Sequence, residues 1–358
     1  MKKYVQGGIG FLLAGLLLWV LFRGTDWGEV FEAIQGVSIG WLIAAHVPLL
    51  IMFPTRIQRW TYIVRATQSV SFRDMFSATQ IGFLANFTLP GRVGEAIRAL
   101  VLTRLTGIKF SKSFALVALD RVTDLFGLIA IMGVAVFAYR PVADVVIPAA
   151  TFGTPSDIVF TAAQYKAGAI FMCVFLATIV ATFVLLYMNR EFVLRLSNGI
   201  IGLVSKKVAA FVGGMLNQFA DGLHVFRSPS DMAKSIGFSL VTWGLTIPML
   251  ICLMNAFHIE FAWYTPFVMQ SLLAVAISAP GAPGFVGQFH VPLVLTLVML
   301  VPDIDLNHAK AFAIVTHLVQ LPPVFALGVY FLAKNRLGLF ELSSTGGKMS
   351  HESPGDEA

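Results

Sequence analysis

The sequence predicts an all-α polytopic membrane protein. It would have about six full transmembrane helices plus two inverted re-entrant helical hairpins, as in inverted-repeat transporters. Three observations lead there. Of 358 residues, 57% are hydrophobic and only 12% charged, with mean hydropathy +0.80, whereas a soluble domain carries about 25% charged residues. A short motif occurs twice, as Pro90-Gly91-Arg92-Val93-Gly94-Glu95 and Pro283-Gly284-Phe285-Val286-Gly287-Gln288. Basic residues collect in alternate segments between the apolar runs.

A hydrocarbon core needs roughly 20 apolar residues as helix. Six runs qualify, over 4–22, 39–58, 113–139, 165–188, 235–257 and 309–333. The first follows Met1-Lys2-Lys3 and lacks a small-x-small cleavage site before Arg23-Gly24-Thr25-Asp26, so it reads as a retained helix. Two further apolar regions, 74–108 and 263–301, are broken midway by the repeated motif. Their pieces, about 14 to 17 residues each, are short for a crossing. They suit re-entrant hairpins with tips at Pro90, Gly91, Gly94 and at Pro283, Gly284, Gly287. Irregular backbone at membrane depth is tolerated where protein or a cavity surrounds it. Within 192–226, Val208, Val212, Met215, Leu216 and Phe219 recur at helical spacing. This marks an amphipathic helix on the inner membrane face, or a cytoplasmic cap over the bundle. The expected organisation is one membrane domain over 1–342, with half-repeats 4–139 and 165–342, and a polar, disordered cytoplasmic tail over 343–358.

The positive-inside rule orients the chain. With both termini cytoplasmic, the inner segments hold Arg56, Arg59, Arg65, Arg104, Lys109, Lys112, Lys206, Lys207 and others. The outer ones hold only Arg23, Arg140, Lys166 and Lys310 among their basic residues. Three full crossings separate the broken regions, so the first hairpin enters from the cytoplasm and the second from outside. The net charge of +6 therefore sets orientation and does not point to nucleic acid. Cys173 and Cys252 lie in apolar runs and read as small core residues. No spacing marks a metal site, a cofactor or ATP hydrolysis, and none sets an oligomeric state.

Ionisable residues inside spans are costly and are functional candidates by default. Arg92, Glu95 and Arg98 stand three apart after Pro90-Gly91, on one face of a helix start. Two arginines near a helix N-terminus suit phosphate or carboxylate; alternatively, a Glu95–Arg ion pair only pins the hairpin. Asp120 and Asp124 lie one turn apart on one face, and Arg121, three before Asp124, is expected to pair with it. They gate the first hairpin, carry a proton, or pair charges between packed helices. Asn86, Thr88 and Gln80 precede the motif and would line the cavity. The second half offers only Gln288, His290, His317 and Gln320. Histidine titrates near neutral pH, which suits proton coupling, although a buried histidine is commonly a hydrogen-bonded core residue.

Asn86 through Arg98, read as N-x-x-L-P-G-R-x-G-E-x-x-R, then Asp120-Arg121-x-x-Asp124 and Pro283-Gly284-x-x-Gly287, resemble the lysylphosphatidylglycerol synthase transmembrane-region family. This is the flippase-like domain of the multiple peptide resistance factor. The resemblance covers about residues 5–335. It implies a bacterial or archaeal plasma-membrane protein that moves lipids between leaflets, with Arg92, Glu95, Arg98, Arg121 and Asp124 matching the family's polar pattern. His290 stands where the family usually has Glu, and His317 near where it often has Arg. No soluble aminoacyl-transferase domain follows, so lysyl transfer is not expected.

The expected function is a lipid flippase or scramblase-like transporter, not an enzyme. An anionic headgroup would be bound by Arg92, Glu95, Arg98, Arg121 and Asn86. Asp120, Asp124, Gln288, His290 and His317 would gate or couple protons. Two alternatives stand beside it. One is an intramembrane lipid-linked glycosyl or aminoacyl transferase with Glu95 or Asp120 as base. The other is a membrane partner of a separate lipid-modifying enzyme.

Overall fold

The computed structural model describes residues 12, 14–65, 67–89, 93–141, 143–203, 205, 208–209, 212–214, 216, 229–278, 282–339 and 341–342. The described chain is helical almost throughout. Helix α1 covers 14–22, followed by α2 (Trp27–Gln35), α3 (Ile39–Val64), α4 (Phe72–Thr88), α5 (Gly94–Thr106) and α6 (Phe110–Ala138). A two-stranded antiparallel ribbon, β1 (Val145–Ile147) with β2 (Ile158–Phe160), flanks the short α7 (Ala149–Phe152). Helices α8 (Ala162–Met188), α9 (Arg190–Gly202), α10 (Pro229–Gly244), α11 (Thr246–Ala256) and α12 (Thr265–Ser278) come next. A 3-10 turn (Pro283–Phe285), α13 (His290–Leu300) and α14 (Leu306–Lys334) complete the chain.

Local chemistry sets the helix ends. Asp26 accepts from the Gly28 N–H at 2.8 Å, and Asp305 from the His308 N–H at 2.7 Å. Thr161 and Gln164 form a reciprocal capping box at the start of α8. Helix α5 stops where Gly107 takes the left-handed conformation at φ 75°.

Six described stretches are long and apolar enough to cross a membrane: 39–64, 110–138, 162–186, 229–256, 283–300 and 306–334. Five coincide with expected spans. About half of the first expected span, 4–22, lies outside the described residues, as do the 343–358 tail and most of 204–228. The stretch 283–300 reaches its length only by including the 3-10 turn. Its regular part, α13, has 11 residues, about 17 Å, against a hydrocarbon core of about 30 Å. Each repeated motif therefore sits between two short helices, α4 and α5 in the first half and α12 and α13 in the second.

The motif glycines are used in two ways. Gly94 opens α5 against Gly82 of α4; a side chain at Gly94 would collide with the Gly82 carbonyl and the Asn86 amide. Gly284 and Gly287 take φ of 67° and 82°, which reverse the chain between α12 and α13. The two tips touch. The Phe87 and Phe285 rings meet edge to face at 5.8 Å.

Beside two small clusters around Tyr139 and Leu186, two large apolar cores result. One joins Leu21, Val30, Ala45, Leu49 and Met52 to α11–α13 and to the first part of α14, up to Val319. The other joins Ile57, Trp60 and Ile63 of α3 to α4, α5, α6 and Phe331 of α14. Helices α3 and α14 thus serve both cores. Each carries proline where it passes between them: Pro54 follows Met52 and precedes Ile57, and Pro322-Pro323 follows Val319 and precedes Phe331. A proline inside a helix removes a backbone hydrogen bond and bends it.

Three placements correct the loop assignments. Arg56 and Arg59, counted with the inner segments, lie inside α3, which runs on to Val64. The helix carries the Arg59 charge because carboxylates neutralise it. Lys310, counted outside, is 1% exposed in α14 and donates to Thr25 Oγ1 at 2.9 Å.

Candidate functional site

Helix α6 brings Asp120 and Asp124 onto one face, a turn apart. Helix α3 meets that face with Arg59, and α5 meets it with Arg98. Arg59 Nε donates to Asp120 Oδ1 at 2.9 Å, and its Nη1 donates to Asp124. Arg98 Nη1 donates to Asp120 Oδ2 at 2.7 Å, and its guanidinium lies 3.6 Å from the centre of the Trp60 ring. The Trp60 indole donates to the Leu116 carbonyl at 3.2 Å, which ties the platform back to α6. Trp243 of α10 donates to Asp124 Oδ1 at 2.8 Å. Exposure is 1% for Arg59, 3% for Arg98 and 1% for Asp120, so this hub is closed.

One side is open. Arg121 points out of the hub with its side chain 35% exposed. It lies 3.5 Å from Asp124 Oδ2 and 4.0 Å from Glu95 Oε1, and the Glu95 side chain is 23% exposed. Asn86 accepts from the Gly94 N–H at 2.8 Å and offers its amide to Glu95 at 3.4 Å. It clips α4 to α5 while presenting Glu95 to Arg121.

Four expected polar contributors therefore come together with Asn86: Glu95 and Arg121 at the rim, and Asp120 and Asp124 on α6. Arg98 lies in the closed interior, with its charge taken up by Asp120. Arg92, Pro90 and Gly91 lie outside the described residues. Sequence reasoning missed Arg59 and Trp243. The apolar series Ile57, Trp60, Ile63 and Val64 is all buried and was the signal available for Arg59, since it continues the helical stripe through the segment read as a loop.

The second-half residues gather at the other motif. The His290 and His317 rings meet at 4.9 Å, and His317 stacks on Phe289 at 4.6 Å and lies 6.4 Å from Phe87. His317 Nε2 is buried with no hydrogen-bond partner among the described residues. Gln288 donates to the Ala276 carbonyl at 3.3 Å and so bridges the break. Elsewhere, an apolar cavity of about 370 Å³ opens between α6, α8, α12 and α13, lined by Met132, Tyr139, Met172, Val268 and Leu295. It begins about three helical turns along α6 from Asp120.

Comparison with known proteins agrees with this architecture. The lysylphosphatidylglycerol synthase TM region family matches residues 8–328. The chain is 24% identical over 337 residues to the glycosyltransferase AglD of Haloferax volcanii. That match covers 86% of this chain and 52% of AglD, so the chain spans about half the length of this curated relative. A multi-pass helical bundle with these two motifs, matched by the family over nearly its whole described length, belongs to the lysylphosphatidylglycerol synthase transmembrane-region family.

Proposed function

We propose that this chain moves an anionic lipid between the leaflets of the membrane it spans, as a flippase or scramblase-like transporter. The cargo class is a phospholipid, an aminoacyl-phosphatidylglycerol or a polyprenyl-phosphate-linked lipid. The membrane is a bacterial or archaeal plasma membrane, with both termini cytoplasmic. The observation that carries the reading is the half-exposed Arg121–Glu95 pair above a closed, charge-neutralised hub. Breaking a long, half-exposed ion pair costs little, so a headgroup phosphate replaces Glu95 at Arg121. Arginine's planar fork suits that phosphate. In this reading α4–α5 and α12–α13 are re-entrant hairpins whose tips meet within the bilayer. The acyl chains stay in lipid. The proline-bearing α3 and α14 let the two cores rock about that contact and expose the rim alternately. Purified chain in proteoliposomes, assayed with labelled phosphatidylglycerol, tests it. Arg121→Ala is expected to slow transfer at least tenfold, as for loss of a charge-assisted contact worth about 1.5–3 kcal/mol. Wild-type rates from the folded variant refute the site, and no transfer by wild type refutes the function.

The relative named a glycosyltransferase favours a second reading, an intramembrane lipid-linked transferase. Asp120 suits the role of base poorly, because two guanidinium groups already occupy its oxygens. Glu95 is the group that would serve. Product formed by purified protein from a sugar donor and lipid acceptor, and lost in Glu95→Gln, would replace the transport reading.

A further inference from the structure

Among the described residues, charges at the site do not balance. Four guanidinium groups, Arg56, Arg59, Arg98 and Arg121, face three carboxylates, Glu95, Asp120 and Asp124. Three of the four are accounted for: Arg59 by both aspartates, Arg98 by Asp120, and Arg121 by Asp124 and Glu95. Arg56 has no carboxylate within salt-bridge distance among the described residues. Its guanidinium contacts the Met52 sulfur at 3.5 Å and stands 5.7 Å from the centre of the Phe83 ring. It lies one turn before Arg59 on α3 and about 12 Å from the end of that membrane-spanning helix. Arg59, one turn on, pairs with both Asp120 and Asp124. Thioether and ring contacts are weak substitutes for an anion. A lone guanidinium at membrane depth is expensive and persists where it serves a ligand.

We propose that Arg56 is a ligand-binding residue that, with Arg121, forms a two-pronged site for a phosphate-class anion, the phosphodiester of a lipid headgroup. The anion supplies the missing negative charge. The arrangement assigns each arginine by its partners: Arg59 and Arg98 hold the helices together, Arg56 is left for cargo, and Arg121 exchanges its long contact with Glu95 for it. The anion class stands on the charge count alone; its identity as a lipid headgroup rests on the transport reading above.

The test uses the full chain in nanodiscs of phosphatidylcholine, with and without phosphatidylglycerol. Thermal unfolding and phosphatidylglycerol binding are followed through tryptophan fluorescence. Wild type is expected to gain stability with phosphatidylglycerol. Arg56→Gln is expected to weaken that binding about tenfold and to unfold no earlier than wild type in phosphatidylcholine alone, because it removes an uncompensated charge. Arg56→Lys keeps the charge but not the fork, and is expected to recover part of the binding. If Arg56→Gln lowers stability equally in both lipids, Arg56 is structural and the proposal fails. Equal binding by Arg56→Gln and wild type also overturns it. Inorganic phosphate is the second arm. If phosphate alone binds and phosphatidylglycerol does not, the anion site stands and the lipid source is refuted. Arg56-dependent phosphatidylglycerol binding without lipid transfer in proteoliposomes keeps the site and refutes only the transport reading.

Discussion

Asp120 is the residue on which the closed hub depends most, and Asp120→Asn measures that dependence. The carboxylate accepts from Arg59 at 2.9 Å and from Arg98 at 2.7 Å, with about 1% exposure. Arg59 keeps Asp124 when this charge is removed, but Arg98 has no other carboxylate within salt-bridge distance among the described residues. Removing one partner of a buried ion pair costs about 3–5 kcal/mol. Placing an unpaired arginine at membrane depth costs about 2.5–3.5 kcal/mol on insertion scales. Asparagine retains one acceptor oxygen, and Arg98 retains its stack on Trp60, so a loss near 3 kcal/mol is expected, at the lower end of the first range. The measurement is unfolding of the purified chain in mixed micelles by titrated SDS, with helix content as readout. The double variant Asp120→Asn with Arg98→Met removes the stranded charge and leaves Arg59 paired with Asp124. It should therefore recover at least about 1 kcal/mol relative to the sum of the single changes. An Asp120→Asn variant within about 0.5 kcal/mol of wild type, or strict additivity in the double variant, refutes the ionic-hub account.

Other substitutions test the remaining contacts. Gly94→Val drives a side chain into the Gly82 carbonyl and the Asn86 amide, and should separate α4 from α5 at a cost of about 1–3 kcal/mol or more, read in the same unfolding titration. Phe87→Ala removes the edge contact with Phe285 and the contact with His317. It should cost about 3 kcal/mol and loosen the tip contact, visible as faster hydrogen exchange at 284–289. Pro54→Ala restores the backbone donor missing from α3. It should raise the unfolding midpoint while slowing labelled-lipid transfer severalfold, the signature of a stiffened link between the two cores.

Much of the bundle was legible because bilayer thickness imposes a length on every span, and five of the expected spans coincide with described helices. The motif glycines were legible for the same kind of reason: a tight turn and a close helix approach each exclude side chains. What sequence reasoning missed shares one cause. Arg59 was counted with the loop because a lone arginine normally ends an apolar run, and its partners Asp120 and Asp124 lie more than 60 positions away. Spacing along one helix reveals neighbours on that helix only. For that reason Arg121 was expected beside Asp124, where it is found, whereas Arg98 beside Asp120 and Trp243 on Asp124 are products of the tertiary arrangement. Asn86 was expected to line a cavity. Its amide holds the start of α5, because the packed glycines leave the Gly94 N–H facing it.

The two sequence copies of the motif end up with different chemistry, and their surroundings explain how. Around the first copy, α3, α5 and α6 supply charge on three sides, so a carboxylate at Glu95 has arginine to meet. Around the second copy, the facing groups are Phe87, Phe289 and Phe22, with His290 and His317 edge to face between them. A carboxylate at position 290 would be buried among rings with no guanidinium among the described residues to receive it, and burying an unpaired charge costs heavily. Imidazole is compatible with that setting because it is neutral in one of its forms and stacks like an aromatic ring. The two histidines share one pocket, with their rings 4.9 Å apart, so changes at the two positions should be coupled. His290→Glu alone should destabilise the fold, and adding His317→Arg beside it should recover stability. A double variant no more stable than His290→Glu alone would show that the two positions are independent.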